Sequence, residues 1–508
     1  MASYTRKLFG GVAIISLLTM FISIFGYLIR IYLAKQLSVE EYGLFYGVMA
    51  FVGFFLAFKN LGMGSAISRY IPIFLSKNNL KKTKYVILST LFIQSLFAIV
   101  LSIVLILFSS FISQHFFHTS SAQIVLIFVT LSFLFSVFHD LFASIYTGFQ
   151  KPALIPLPEL LKNIFILFFL WLLFSFNKTA AVPAFAYLLV SLVVPIISFV
   201  VFLRIFPGFI SVKSDITFFS CIKDYFAFKK NNSLIQKIRN YGFFVFLNSQ
   251  GWFFITYTDV LALTYLRTLG EVGLYNVAVP LVSLIVFLPY AINGLLLSMI
   301  SEIYARKQLS LIRNEVQRIQ KFSLAAIIPI SMMLFAFSDV AIRMLFGEKY
   351  VAASIVLKIL SIGTIFNALG AMNVEILNGI GKTATNSKIL FKVAVLNLIL
   401  CLFFVKQYGM VAAALATSIS YLLIFVLNSN EIRKNIGPSI SASILFRLII
   451  SGAVFLTVLF LFKLFDVNIW IKIISAVCSA AIIYVLTLFL LRIITKKEIK
   501  MIVDRIKR

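Results

Sequence analysis

Long apolar stretches, each bounded by a short polar turn, follow one another along the whole chain. Most are close to 20 residues long, enough for a helix to cross the roughly 30 Å hydrocarbon layer of a bilayer. Read by length and by the polar turns between them, they predict fourteen spans at about 9–33, 42–61, 85–111, 122–146, 160–176, 180–203 and 242–266, then about 273–300, 322–346, 352–378, 389–407, 409–427, 444–463 and 469–492. The first stretch follows Arg6 and Lys7 as a signal peptide would. It is too long for one and lacks a clean small-residue cleavage site, so an uncleaved helix is expected. The expected fold is an all-α polytopic membrane protein.

The pattern also repeats. EEYGLF around Gly43 returns as GEVGLYN around Gly273, 230 positions later, and GFQKP around Lys151 returns as GIGKT around Lys382, 231 positions later. Two echoes at one period point to a duplicated half. The first pair opens spans two and eight, and the second closes spans four and ten. The architecture this predicts is two six-helix lobes as parallel repeats, followed by a C-terminal helix pair. The corresponding domains are an N-lobe at 1–204, an interlobe linker at 205–241, a C-lobe at 242–428, and a last helix pair with a basic tail at 429–508.

Composition agrees with the pattern. Of 508 residues 61% are hydrophobic and only 12% charged, too apolar for a water-soluble core. The net charge of +28 would suggest nucleic acid in a soluble chain. Here most Lys and Arg fall at the loops and ends that an inside N-terminus would place in the cytoplasm. The charge is therefore read as topology, with both termini inside and anionic inner-leaflet lipids as partners. Nucleic acid is not needed to explain it. The three cysteines show neither disulfide nor metal-ligand spacing, and His115 and His118 lack a third ligand, so no metal site and no cofactor is expected.

The stretches IRIYLAKQLSVEEYGLF (29–45), LGMGSAISRYIP (61–72), TDVLALTYLRTLGEVGLYNVA (258–278), LFGEKYVAASIVLKIL (345–360), LNGIGKTATNSK (377–388) and YGMVAAALATSIS (408–420) resemble the MOP exporter superfamily, most closely its polysaccharide-transporter branch of O-antigen type. Lys35-Gln36-Leu37-Ser38 departs from the Arg-x-Leu-Gly usual in that branch. The resemblance implies alternating access and the flipping of a polyprenyl-diphosphate-linked oligosaccharide from the inner to the outer leaflet of the cell membrane. It also implies other polysaccharide-assembly proteins as partners.

An anionic headgroup crossing a low-dielectric slab calls for fixed cations, and a charge at the bilayer centre costs roughly 2.5–3.5 kcal/mol on insertion scales. Arg30, Lys59 and, at the edge of the membrane, Arg69 are the substrate-binding candidates. Asp259 and Glu375 are the candidates for a coupling ion, a proton or sodium. Asp140, beside His139, and Asp339, expected to pair with Arg343 one turn on, rank below them. Within transport the competing function is a multidrug or cation exporter, which would favour carboxylates over Arg30 and Lys59 in the first lobe. A membrane glycosyltransferase or polymerase would need a larger outer loop or an Asp-x-Asp motif, so no enzyme is expected.

Overall fold

The computed structural model describes residues 2–56, 58, 62–151, 154–205, 233–437, 441–465 and 468–495. Lys59, most of the expected linker and the basic tail lie outside them. The described chain is helical, with sixteen α-helices and one 3₁₀ turn among the described residues.

Twelve described segments are long and apolar enough to cross a bilayer, against fourteen expected. One reason for the difference is Thr383–Asn435, a single run of 53 residues. At 1.5 Å per residue it would be about 80 Å long, far beyond a bilayer. Gly409 divides it, at φ 56° and ψ −137°, a backbone geometry that favours glycine. The expected spans eleven and twelve are its two arms. The expected seventh span falls in Ser233–Leu266, helical throughout but not among the twelve.

Two compact units divide the chain. Unit 1 comprises residues 1–250 with 263–273, and unit 2 comprises 251–262 with 274–508. Unit 1 contains α1 (Ala2–Gln36), α2 (Val39–Leu56), α3 (Met63–Leu75), α4 (Leu80–Leu107), α5 (Ser109–His115), α6 (Ala122–Gly148), α7 (Pro156–Leu173) and α8 (Ala181–Ile205). The expected second span corresponds to α2, which runs to Leu56, and α3, not among the expected spans, starts after Gly62, whose φ is 69°. Ile67 and Ile71 of α3 pack with Val86 and Phe92 of α4, Ile145 and Tyr146 of α6, and Phe202 of α8. Lipid tails are as apolar as these side chains, so close fit and buried hydrogen bonds hold the helices together. Tyr146 Oη donates to the Ser198 carbonyl at 2.8 Å, a bond worth about 0.6 kcal/mol in such a setting.

Residues 263–273, with the start of the second copy of the first repeat, belong to unit 1 and meet the first copy there. Ser38 Oγ accepts from Glu41 N at 3.1 Å and Thr268 Oγ1 from Glu271 N at 3.4 Å, so each copy caps a helix in the same way. The helices they start then cross where neither has a side chain. A Cβ on Gly43 would lie 1.8 Å from the Leu269 carbonyl, and one on Gly273 would lie 2.3 Å from the Val39 carbonyl. Each glycine therefore faces the residue four before the other.

Unit 2 is built from part of α9 (Ser233–Leu266), most of α10 (Leu269–Ala305), α11 (Leu309–Ala336), α12 (Ser338–Phe346), a 3₁₀ turn (Glu348–Ala353), α13 (Ser354–Gly379), α14 (Thr383–Asn435), α15 (Ala442–Lys463) and α16 (Ile469–Leu490). The last pair packs on α11 through Leu324, Ile328, Phe455, Leu459, Ala476 and Tyr484. Tyr484 Oη donates to the Ala325 carbonyl at 3.0 Å. Large apolar side chains such as Trp171, Phe176, Phe403 and Leu490 stand more than 60% exposed. On a soluble protein that surface would aggregate, whereas on these helices it meets lipid.

Candidate functional sites in each unit

In unit 1, α1 carries Arg30 to the face of α2. Its guanidinium carbon lies 4.6 Å from the centre of the Tyr46 ring, and the Tyr42 ring packs tilted against Tyr46 with ring centres 4.7 Å apart. Tyr46 and Tyr42 are buried. Among the described residues Arg30 makes no ion pair. Glu41 of α2 is occupied elsewhere, since its Oε2 accepts from Ala180 N at 2.5 Å. The Arg30 guanidinium also hydrogen-bonds Tyr42, and a cation resting on an aromatic face is partly compensated while its remaining N–H groups can meet an anion.

Arg69, on α3, extends over the ring of Tyr70 at 5.8 Å and lines a cavity of about 610 Å³. The other walls are Gly64, Ser65, Ser68, Ala143, Ser144, Thr147 and Ile155. Four hydroxyl groups and one guanidinium in a space of this size suit a polar, anionic ligand. Arg30 and Arg69 sit on different helices, α1 and α3. Lys59 lies outside the described residues.

In unit 2, Asp259 of α9 is 5% exposed and holds three neutral donors. Its Oδ2 accepts from Tyr275 Oη and from Thr417 Oγ1, the latter at 3.1 Å, and its Oδ1 accepts from Val260 N at 3.2 Å. Among the described residues no Lys, Arg or His pairs with it. A carboxylate buried among neutral groups can hold a proton or a small cation. Tyr275 and Thr417 were not foreseen from the sequence. A signal for Tyr275 existed, because the second copy of the repeat has Tyr275 where the first has Phe45, and the added hydroxyl is the group that reaches Asp259.

Glu375 is half-buried on α13 and is not among the groups touching Asp259. The deeply buried polar group near it is Asn373, which accepts from Gln320 Nε2 at 2.7 Å and donates to Ser429 Oγ at 2.8 Å. The expected Asp339–Arg343 pair does not form. Asp339 binds Lys463 at 3.2 Å and Arg343 binds Glu348 at 2.7 Å, because the turn after α12 brings Glu348 back over Arg343. Partial burial pushes the Asp339 carboxyl up, but Lys463 outweighs it and the net direction is down.

A third cluster was missed from the sequence. His139 Nε2 lies 2.7 Å from Glu159 Oε1, and Lys162 Nζ pairs with the other Glu159 oxygen. Glu159 had been placed just before span five. Pro156 and Pro158 start α7 a turn earlier and draw it into the helix. Among the described residues no three His, Cys, Asp or Glu come together as metal ligands.

The family profile described as "Polysaccharide biosynthesis protein" matches residues 8–304, more than half of the chain. The chain belongs to the polysaccharide biosynthesis protein family. A second profile, MatE, matches residues 245–403, and together they place the chain in the polysaccharide-transporter branch of the MOP superfamily. An uncharacterized membrane protein of Methanocaldococcus jannaschii, MJ1068, is 28% identical over 99% of both chains. A Haloferax volcanii protein named "Probable low-salt glycan biosynthesis flippase Agl15" is 24% identical over 51% of this chain and 54% of its own. Among solved structures, the lipid II flippase MurJ in an inward closed conformation shares the fold, with a TM-score of 0.71, 19% identity, and coverage of 93% and 97% of the two chains. The family member described here is thus a multi-pass membrane protein with a flippase-like fold.

Proposed function

We propose that this chain is an alternating-access flippase of the cell membrane. It moves a polyprenyl-diphosphate-linked oligosaccharide from the inner to the outer leaflet for surface glycan assembly. The observation that carries the reading is Arg30, a membrane-level cation seated on tyrosine and without a carboxylate partner among the described residues. An unpaired cation at this depth is costly unless an anion visits it. The Arg69 cavity supplies a second anion-binding surface in the same unit. Asp259 is the place for the coupling proton or sodium ion, and Glu375 a weaker one. The names of relatives support glycan transport, and the cationic candidates suit the anionic diphosphate headgroup that the family resemblance implies.

The test is flipped lipid-linked sugar in vesicles, or surface glycan in cells, normalised to protein in the membrane. Each charge-assisted hydrogen bond to phosphate contributes about 1.5–3 kcal/mol, so Arg30→Ala should lose about tenfold or more in rate. Arg30→Lys keeps the charge but loses the planar fork, and should retain part of the activity. Full activity in an Arg30→Gln, Lys59→Gln double variant would remove the cationic pathway.

A further inference from the structure

The two arms of α14 run antiparallel from the turn at Gly409, and side-chain hydrogen bonds tie them together farther from that turn. Asn397 Nδ2 donates to Ser420 Oγ at 3.1 Å, and Asn428 Nδ2 donates to Asn386 Oδ1 at 3.3 Å. The register of these bonds sets Leu400 level with Ala416 and Phe404 level with Ala412. There the arms flank a groove of about 290 Å³, lined chiefly by Leu400, Phe404 and Tyr408 on the first arm and Ala412, Ala416 and Ile419 on the second. Residues three or four apart share one side of a helix, so each arm contributes a row. Two alanines in the second row leave the space, and apart from the Tyr408 hydroxyl the walls are hydrocarbon.

Phe404, Tyr408, Leu415 and Ile419 are exposed, so the groove is continuous with the lipid-facing surface of a membrane-spanning run. From Tyr408 to Leu400 it extends about 12 Å, which keeps it within one leaflet of a roughly 30 Å hydrocarbon layer. A hydrocarbon chain lying in it touches side chains on both flanks and on its floor, where a flat helix face would offer one side only. Each added contact gains dispersion energy, and an empty groove would forfeit all of them. At the turn, Lys406 and Tyr408 are both exposed, an ammonium and a phenol at the depth where phosphates lie. The bilayer's own glycerophosphate lipids carry both parts, a chain and a phosphate at its head. A transported lipid fits less well, because it must leave its leaflet, whereas a groove confined to one leaflet suits a resident.

We propose that the groove between the arms of α14 binds one chain of a resident glycerophosphate lipid, with the lipid phosphate beside Lys406. Ala416 lines the groove, and the next residue, Thr417, donates to Asp259. The seated chain therefore backs the arm that brings Thr417 to the carboxylate. The proposal goes beyond the transport reading and does not depend on it.

The test uses the full-length chain in nanodiscs of phosphatidylglycerol, doped with phosphatidylglycerol that carries a photoactivatable diazirine in one chain. After illumination, label should concentrate at residues 400–419, about fivefold or more over the exposed surface of α7 around Trp171. Ala412→Leu with Ala416→Leu fills the groove and should abolish that excess. Leu415→Gln with Ile419→Gln changes only exposed positions at its lip, spares the fold, and should reduce the excess as well. Phosphatidylglycerol added to the detergent-solubilised wild type should raise its melting temperature by about 2 °C or more, a rise the lip variant should lack. Labelling at 400–419 no greater than on α7 would mean ordinary lipid solvation and would overturn the proposal, as would an excess unchanged in both variants. A melting temperature that phosphatidylglycerol leaves unmoved, or moves equally in the lip variant, would count the same way. Displacement of the label by polyprenyl diphosphate, at a dose where unlabelled phosphatidylglycerol leaves it in place, would overturn it too and give the groove to the transported lipid.

Discussion

Asp259 shows how a single change between two copies of a repeat makes a site. The helix of the first copy carries Phe45, packed edge-on against Tyr187, and the second carries Tyr275, whose hydroxyl reaches the buried carboxylate. The acid itself was legible, because a charged residue inside an apolar span is costly enough to need a role. Its partner Thr417 was not, since it comes from a helix 158 positions away and no local pattern points to it. If Asp259 carries the coupling ion, Asp259→Asn should slow transport about tenfold or more while protein level holds, because the amide is neutral at every pH. Tyr275→Phe removes one of three donors and should cost less than Asp259→Asn. Flipping rates across proton and sodium gradients provide the measurement, and a wild-type rate for Asp259→Asn under all of them would exclude the acid.

At the scale of helices, the second repeat proves to be a helix ending. Lys151 N donates to the Tyr146 carbonyl at 2.9 Å and Lys382 N to the Leu377 carbonyl at 2.8 Å, closing the ends of α6 and α13 alike. In both endings a glycine lets another helix approach. A Cβ on Gly148 would meet Ile71 at 3.0 Å, and one on Gly379 would meet Ile300 at 2.7 Å. At the left-handed position the two endings have different residues, Gln150 with φ 57° and Gly381 with φ 78°. Both are exposed, so the comparison isolates the backbone. A left-handed residue with a Cβ costs roughly 1–2 kcal/mol, partly offset by the greater entropy glycine has when unfolded. Gln150→Gly should therefore stabilise the detergent-solubilised protein by about 1 kcal/mol, and Gly381→Gln should destabilise it by a similar amount. Unfolding free energies in mixed micelles would show it. The repeat was visible in the sequence, but its physical meaning was not, because GFQK and GIGK share their hydrogen bonds more than their residues.

For the whole molecule, hydropathy gave most of the helices and the polar turns most of their ends. Lys406 and Gln407 precede Gly409, where the sequence already divides spans eleven and twelve, whereas the expected spans leave no helix at 63–75, where α3 lies. The side of the membrane on which each turn lies is carried by charge. In unit 1 the turn before α2, the turn before α8 and the turn before α10 gather at one end, through Gly43 against Leu269 and Glu41 against Ala180. They contain few basic residues, whereas the opposite ends, such as Lys77 to Lys84 before and into α4, are rich in them. Basic ends stay in the cytoplasm, so reporters fused after Lys178 and Lys349 should both read as extracytoplasmic. Reporters after Asn232 or at the C-terminus should read as cytoplasmic. The Asn232 fusion is the decisive one. It follows an even number of passes if the six expected spans before it all cross, so an outside reading would mean either that one of them does not or that the N-terminus lies outside.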